Sequence, residues 1–171
     1  MKICAIIADG DRNLKFCEDF FTKRVALLYY DFGIRKILCG VGRGTELTAL
    51  NLILDQRQLY PSMKIDGVFT HEEEANHWRE NEREMLYRVI ARCDEELILK
   101  PVYGSEMRFQ RNIVMMDIAD LVLLIGDDTE TEYWANRMMK PLLKLDPDKE
   151  RMIPEIRLFR QKPLRSFAIL P

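Results

Sequence analysis

Lys36-Ile37-Leu38-Cys39 runs directly into Gly40-Val41-Gly42-Arg43-Gly44-Thr45-Glu46, and Leu47, Leu50, Ile53 and Leu54 follow at helical spacing. A short apolar run, a glycine turn and an amphipathic stretch read as strand, turn and helix. The same unit recurs in both directions along the chain. Upstream, Lys2–Ala8 is a strand, and Phe16, Phe20, Phe21, Leu27 and Leu28 mark a helix that stops at Gly33. Downstream, Lys64–Thr70 is a strand, although Asp66 and Gly67 interrupt its apolar pattern. A polar stretch over His71–Glu84 then leads into a helix carrying Met85, Leu86, Val89, Ile90 and Cys93.

Glu96–Leu99 is the next strand, and Phe109, Ile113 and Met116 mark the next helix. Asp120–Ile125 is the clearest buried strand, with Gly126-Asp127-Asp128 as its turn. Tyr133, Trp134, Met138 and Leu142 predict a fifth helix, bent or ended at Pro141. Ile156–Phe159 is a candidate last strand, and the tail (160–171) an extra strand or docking segment. Strand alternating with helix in this way predicts an α/β fold: a three-layer, Rossmann-like, doubly wound and mainly parallel sheet covered on both faces. Ligands in such folds bind beyond the carboxyl ends of the strands, near a topological switch point. The turns after strands are therefore the places to look for function.

Composition agrees with one domain over residues 1–171, since single cores divide only above roughly 250 residues. With 26 Lys+Arg against 28 Asp+Glu, the net charge of −2 argues against a nucleic-acid partner, which requires a basic face. No apolar run approaches the roughly 20 residues that span a bilayer, so no membrane partner is expected. Cys4, Cys17, Cys39 and Cys93 form no C-x-x-C pair and lie in apolar runs. They read as reduced, buried thiols of a cytoplasmic protein.

Gly40, Gly42 and Gly44 let the backbone of their turn approach a ligand, and Thr45 is placed to cap the following helix. Helix N-termini favour phosphate, so a phosphoribosyl cradle is one reading and a plain tight turn the other. The turn is neither a P-loop nor a dinucleotide fingerprint, because it lacks the lysine of the first and follows the second strand. Glu46 either complements the helix dipole or accepts ribose hydroxyls. In Gly126-Asp127-Asp128-Thr129-Glu130-Thr131-Glu132, the four carboxylates read as an acidic helix start or, alternatively, as a divalent-metal or acid/base site; Gly126 permits close approach, and Thr129 or Thr131 is placed to cap the next helix. Glu73 and His77, four apart, fit a metal-binding helix face only in principle, and no metal or other cofactor is expected. Trp78 is placed to stack on a base or to pack over the sheet. Arg111 and Asn112 open a helix where an arginine can grip phosphate and an asparagine a ribose hydroxyl.

The ordered series GVGRGTEL, YPSMKIDGVFTHEEEANHW and VYGSEMRFQRNIVMMDIADLVLLIGD resembles the YpsA-like branch of the SLOG superfamily over residues 1–143. The superfamily also holds DNA-processing proteins and nucleotide phosphoribohydrolases. The resemblance implies a Rossmann-like fold and a site for nucleotide derivatives such as ADP-ribose. By position it places the family's glycine-then-acid motif on Gly44 and Glu46, its aromatic on Trp78, its basic-Asn pair on Arg111 and Asn112, and its strand-opening acid on Asp120.

The phosphoribohydrolases carry P-G-G-x-G-T-x-x-E after the fifth strand, where this chain has IGDDTETE. Glu132 falls near the catalytic glutamate, but the phosphate cradle is missing. Asp9-Gly10-Asp11-Arg12 is also more acidic than the usual first turn. The expected function is thus a nucleotide-derivative sensor whose partner is a small nucleotide-derived ligand. The alternatives are a nucleotide N-glycosidase using Glu46 or Glu132, and an interaction module without a ligand. Trp134 and Phe167–Leu170 make a homodimer plausible.

Overall fold

The computed structural model describes residues 1–10, 14, 17–71, 73–99 and 107–147. Its strands are β1 (Lys2–Ala8), β2 (Ile34–Gly40), β3 (Lys64–Phe69), β4 (Glu95–Ile98), β5 (Leu121–Ile125) and β6 (Leu142–Leu145). The helices are α1 (Glu18–Tyr30), α2 (Thr45–Asp55), α3 (Glu80–Ile90), α4 (Met107–Ile118) and α5 (Thr129–Arg137). The six strands form one sheet in the order β4-β3-β2-β1-β5-β6, and every pairing is parallel. The chain runs outward from β1 to β4, then returns to the other side of β1 to place β5. Thus β1 and β5 flank the switch point.

Side chains alternate across the sheet because the strand period is two. Cys4, Ile6 and Ala8 of β1 join one core with Leu121, Leu123 and Ile125 of β5. That core also takes Phe21 and Val25 of α1, Leu50 and Ile53 of α2, and Leu86 and Val89 of α3. Ala5 and Ile7 face the other way, with Val122, Leu124, Met115 and Met116 of α4 and Ala135 of α5. Three helices therefore cover one face and two cover the other. Each fully buried Leu, Ile or Val adds about 1.5–3 kcal/mol, so this alternation fixes register as well as layering.

The fifth helix is shorter than its apolar spacing predicts. Lys140 N–H donates to Ala135 O at 2.8 Å and Met139 N–H to Asn136 O at 3.0 Å, with Met139 at φ 54°. This is a left-handed C-terminal cap, and Pro141 follows it, so Leu142 is released into β6. Asp66 and Gly67 stay within β3, against the weak apolar pattern there. The candidate strand Ile156–Phe159 and the tail 160–171 lie outside the described residues. Among the described residues no helix is long and apolar enough to cross a membrane.

Candidate functional site

Three turns meet at the carboxyl edge around β1. The first follows β1 itself, where Asp9 N–H donates to Ile125 O at 2.8 Å. The second is the glycine turn after β2, tied to the first by Thr45 Oγ1, which donates to Gly10 O at 3.1 Å. The third begins at Gly126, with φ 112°, and a Cβ there would stand 3.0 Å from Asp9 Cβ. Gly126 thus lets the turns after β1 and β5 close on each other.

The glycine turn is built around a buried ion pair. Arg111 Nη2 donates to Glu46 Oε1 at 2.5 Å, and each residue is 1% exposed. Gly42 N–H donates to Glu46 Oε2 at 2.7 Å. A Cβ on Gly40 would lie 2.7 Å from Arg111 Nη2 and from the Glu46 carboxyl carbon, and one on Gly42 would overlap Glu46 Oε2. Those two glycines leave the space that the ion pair fills. Gly44 has a separate reason: it stands at the helix N-cap with φ 82°, a backbone that suits glycine. Thr45 is therefore the first helical residue rather than the cap, and its hydroxyl is spent on Gly10.

Asn112 completes the cluster by accepting from Arg111 Nε at 3.3 Å and Nη2 at 3.0 Å. Arg111 Nη1 is buried without a hydrogen-bond partner among the described residues. A buried, unsatisfied donor costs about 1–3 kcal/mol. Burial, followed by the Glu46 carboxylate, pushes the nearby Cys39 thiol well up, so it remains a weak donor toward Glu46 O at 3.8 Å.

Arg108 is a residue that the sequence reading passed over. Its Nη2 donates to Ala8 O at 2.8 Å and lies 3.5 Å from Glu46 Oε1. Its spacing of three from Arg111, which puts both on one helix face, is the signal that could have found it.

The remaining candidates divide by location. Trp78 packs, partly buried, against the core under α1–α3. It precedes α3, whose Glu82 accepts from Arg43 Nε of the glycine turn at 2.8 Å. Glu132, on α5, is ion-paired with Lys144 at 2.5 Å, and Lys144 also binds Asp127 at 2.7 Å. Asp128, rather than either threonine, caps α5: its side chain accepts from Glu130 N–H at 3.1 Å and from the Thr131 hydroxyl. Asp120 lies at the opposite, amino end of the sheet and accepts from Ile3 N–H at 2.8 Å. Glu73 and His77 are exposed and lie in successive turns, not on one helix face. Trp134 is partly buried and packs against Phe109, with ring centroids 6.1 Å apart.

A parallel sheet wound outward from a central strand, with its polar cluster at the switch point, defines a doubly wound α/β protein. The model of the YspA SLOG family matches residues 4–153, and the chain belongs to that family. It is 32% identical to a UPF0398 protein of Bacillus velezensis over 124 residues, 71% of this chain and 68% of that protein. The UPF0398 protein YpsA of Bacillus subtilis is 29% identical, with the same coverage of 71% and 68%. Among solved structures, DNA processing protein A from Helicobacter pylori superposes with a TM-score of 0.56 at 16% identity, covering 87% of this chain and 70% of that one. It is described by its single-stranded DNA binding mode. The exclusion of nucleic acid drawn from the charge balance therefore finds no support in this neighbour, whose likeness is one of fold.

Proposed function

We propose that the chain binds a small nucleotide-derived ligand carrying a phosphoribosyl group, and acts as a sensor of it. The site is the carboxyl edge where the turns after β1, β2 and β5 meet. One observation carries the reading: a fully buried arginine–glutamate pair stands at the switch point, and among the described residues Arg111 Nη1 lacks an acceptor. Buried ion pairs are weak contributors to stability, so their placement at a ligand-binding edge points to function. Glu46, Arg111 and Asn112 form the floor of this site. Gly40, Gly42, Gly44 and Thr45 supply the backbone above it, Gly126 closes its far side, and Trp78 stands on the α3 side for the base. Asp120 supports the sheet from the other end.

The test is thermal unfolding in phosphate-free buffer with ADP-ribose, NAD, AMP and a short single-stranded oligonucleotide. A ligand at 100 times Kd adds about 2.7 kcal/mol. For a chain of this size that is roughly 5–11 °C in Tm. A shift with the oligonucleotide alone, or with no nucleotide, overturns the proposal.

A further inference from the structure

The ligand reading leaves open which group carries the charge for a phosphate. Arg111 is the obvious candidate, but its charge is already spent. Its Nη2 serves Glu46 at 2.5 Å and Asn112 at 3.0 Å, and the side chain is sealed at 0% exposure. Arg43 is exposed, but its charge is balanced one to one by Glu82, which accepts from its Nε at 2.8 Å. Arg108 differs: its side chain is 47% exposed, and Nη2 carries its contacts with Ala8 O and Glu46.

A guanidinium has five N–H donors, and among the described residues only Nη2 of Arg108 is engaged. The anchor on Ala8 O holds that fork at the end of β1. There the Gly10 carbonyl is already gripped by Thr45 at the start of α2. Among Glu46, Arg108 and Arg111, one carboxylate faces two guanidinium groups, so Glu46 balances only one of the two arginines. Arg111 Nη1, buried and unpartnered among the described residues, lies 3.9 Å from where a Gly42 Cβ would stand, beneath the same turn.

We infer that Arg108 is the phosphate-binding residue of the edge, and that Arg111 is a positioning residue that holds Glu46 and the glycine turn in place. The ligand class is a nucleoside mono- or diphosphate whose phosphate meets the Arg108 fork and the first turn of α2. This rests on the ligand reading above, and it reassigns the phosphate contact from the buried arginine to the half-exposed one.

The experiment measures the affinity of wild type and Arg108→Gln for AMP, ADP-ribose, adenosine and inorganic phosphate by calorimetry. A melting curve confirms that the variant is folded. Loss of a charge-assisted bidentate contact should weaken AMP and ADP-ribose roughly ten- to hundredfold while adenosine is unchanged. Arg108→Lys keeps the charge but not the fork, and should recover part of the loss. If wild type binds AMP and Arg108→Gln binds it equally well, the assignment is overturned while the ligand reading stands. If nucleotides do not bind but inorganic phosphate binds wild type and not the variant, the nucleotide reading fails and the Arg108 site survives. If neither binds wild type, both fall.

Discussion

Two buried acids in this molecule have met their counter-charges in different ways. Glu46 faces Arg111 in a sealed pair that joins α2 on one face of the sheet to α4 on the other. Asp66, in the middle of β3, faces Lys36 of the neighbouring strand at 2.5 Å, and the lysine is 16% exposed and also reaches Glu95 at 3.3 Å. The Asp66 pair lies within one sheet, and its lysine can lead its charge toward water along an apolar stem. The Glu46 pair has no such exit and needs two side-chain-free positions beside it. Accommodation by the backbone marks the first pair as built for its place. The second is a local compromise, in which burial outweighs the lysine and pushes the Asp66 carboxyl up, while hydrogen bonding to Asp66 pushes the Lys36 ammonium up.

The largest break in this contrast should come from Arg111→Met, which leaves the buried Glu46 carboxylate with only the Gly42 N–H at 2.7 Å and the more distant Arg108 at 3.5 Å. Urea unfolding should show a loss of about 3–5 kcal/mol, much of it recovered in Glu46→Leu/Arg111→Met. A single-variant loss below about 1 kcal/mol would contradict a sealed pair. Next in size, Gly42→Ala forces a Cβ against Glu46 and should cost about 1–3 kcal/mol. In an Glu46→Ala background that penalty should shrink, and strict additivity in the cycle would refute the clearance argument.

The Asp66 pair is sharpened by pH. Its raised carboxyl means that the folded chain holds a proton the unfolded chain has lost. The Asp66 contribution to stability is therefore present below its ordinary value of 3.8 and is lost as pH rises through the raised one. The stability of wild type minus that of Asp66→Asn should decline with rising pH over this window, and a flat or rising difference would reverse the assignment. Smallest of all, Lys144→Gln breaks only a surface cluster with Asp127 and Glu132. It should change stability by about 0–1 kcal/mol and leave ligand affinity unchanged.

The strand and helix order was legible because each element carries its own period. Asp120–Ile125 could be read as buried without reference to anything else, and the structure makes it the strand beside β1. The end of α5 was not legible, because Leu142 continues the helical spacing and the cap on Met139 uses a left-handed residue that is not glycine. At the candidate site, the sequence singled out the glycine turn but not the use of its glycines. Gly40 and Gly42 make room for a side chain 65 residues from Glu46, and no local pattern records such a meeting. Asp120 shows the converse: a position singled out by resemblance lies at the far end of the sheet from the glycine turn.

The same separation has a consequence for how the chain is made. At about 5–20 residues per second, α4 leaves the ribosome roughly 3–13 s after Glu46. Strands β1 to β4 precede α4 in the chain, so a growing chain can assemble that half of the sheet while Glu46 is still in water. Its enclosure then belongs to the closing step, when α4 and β5 settle on β1. Loss of the pair should accordingly speed unfolding and leave the folding rate nearly unchanged, which stopped-flow measurements on Arg111→Met would resolve.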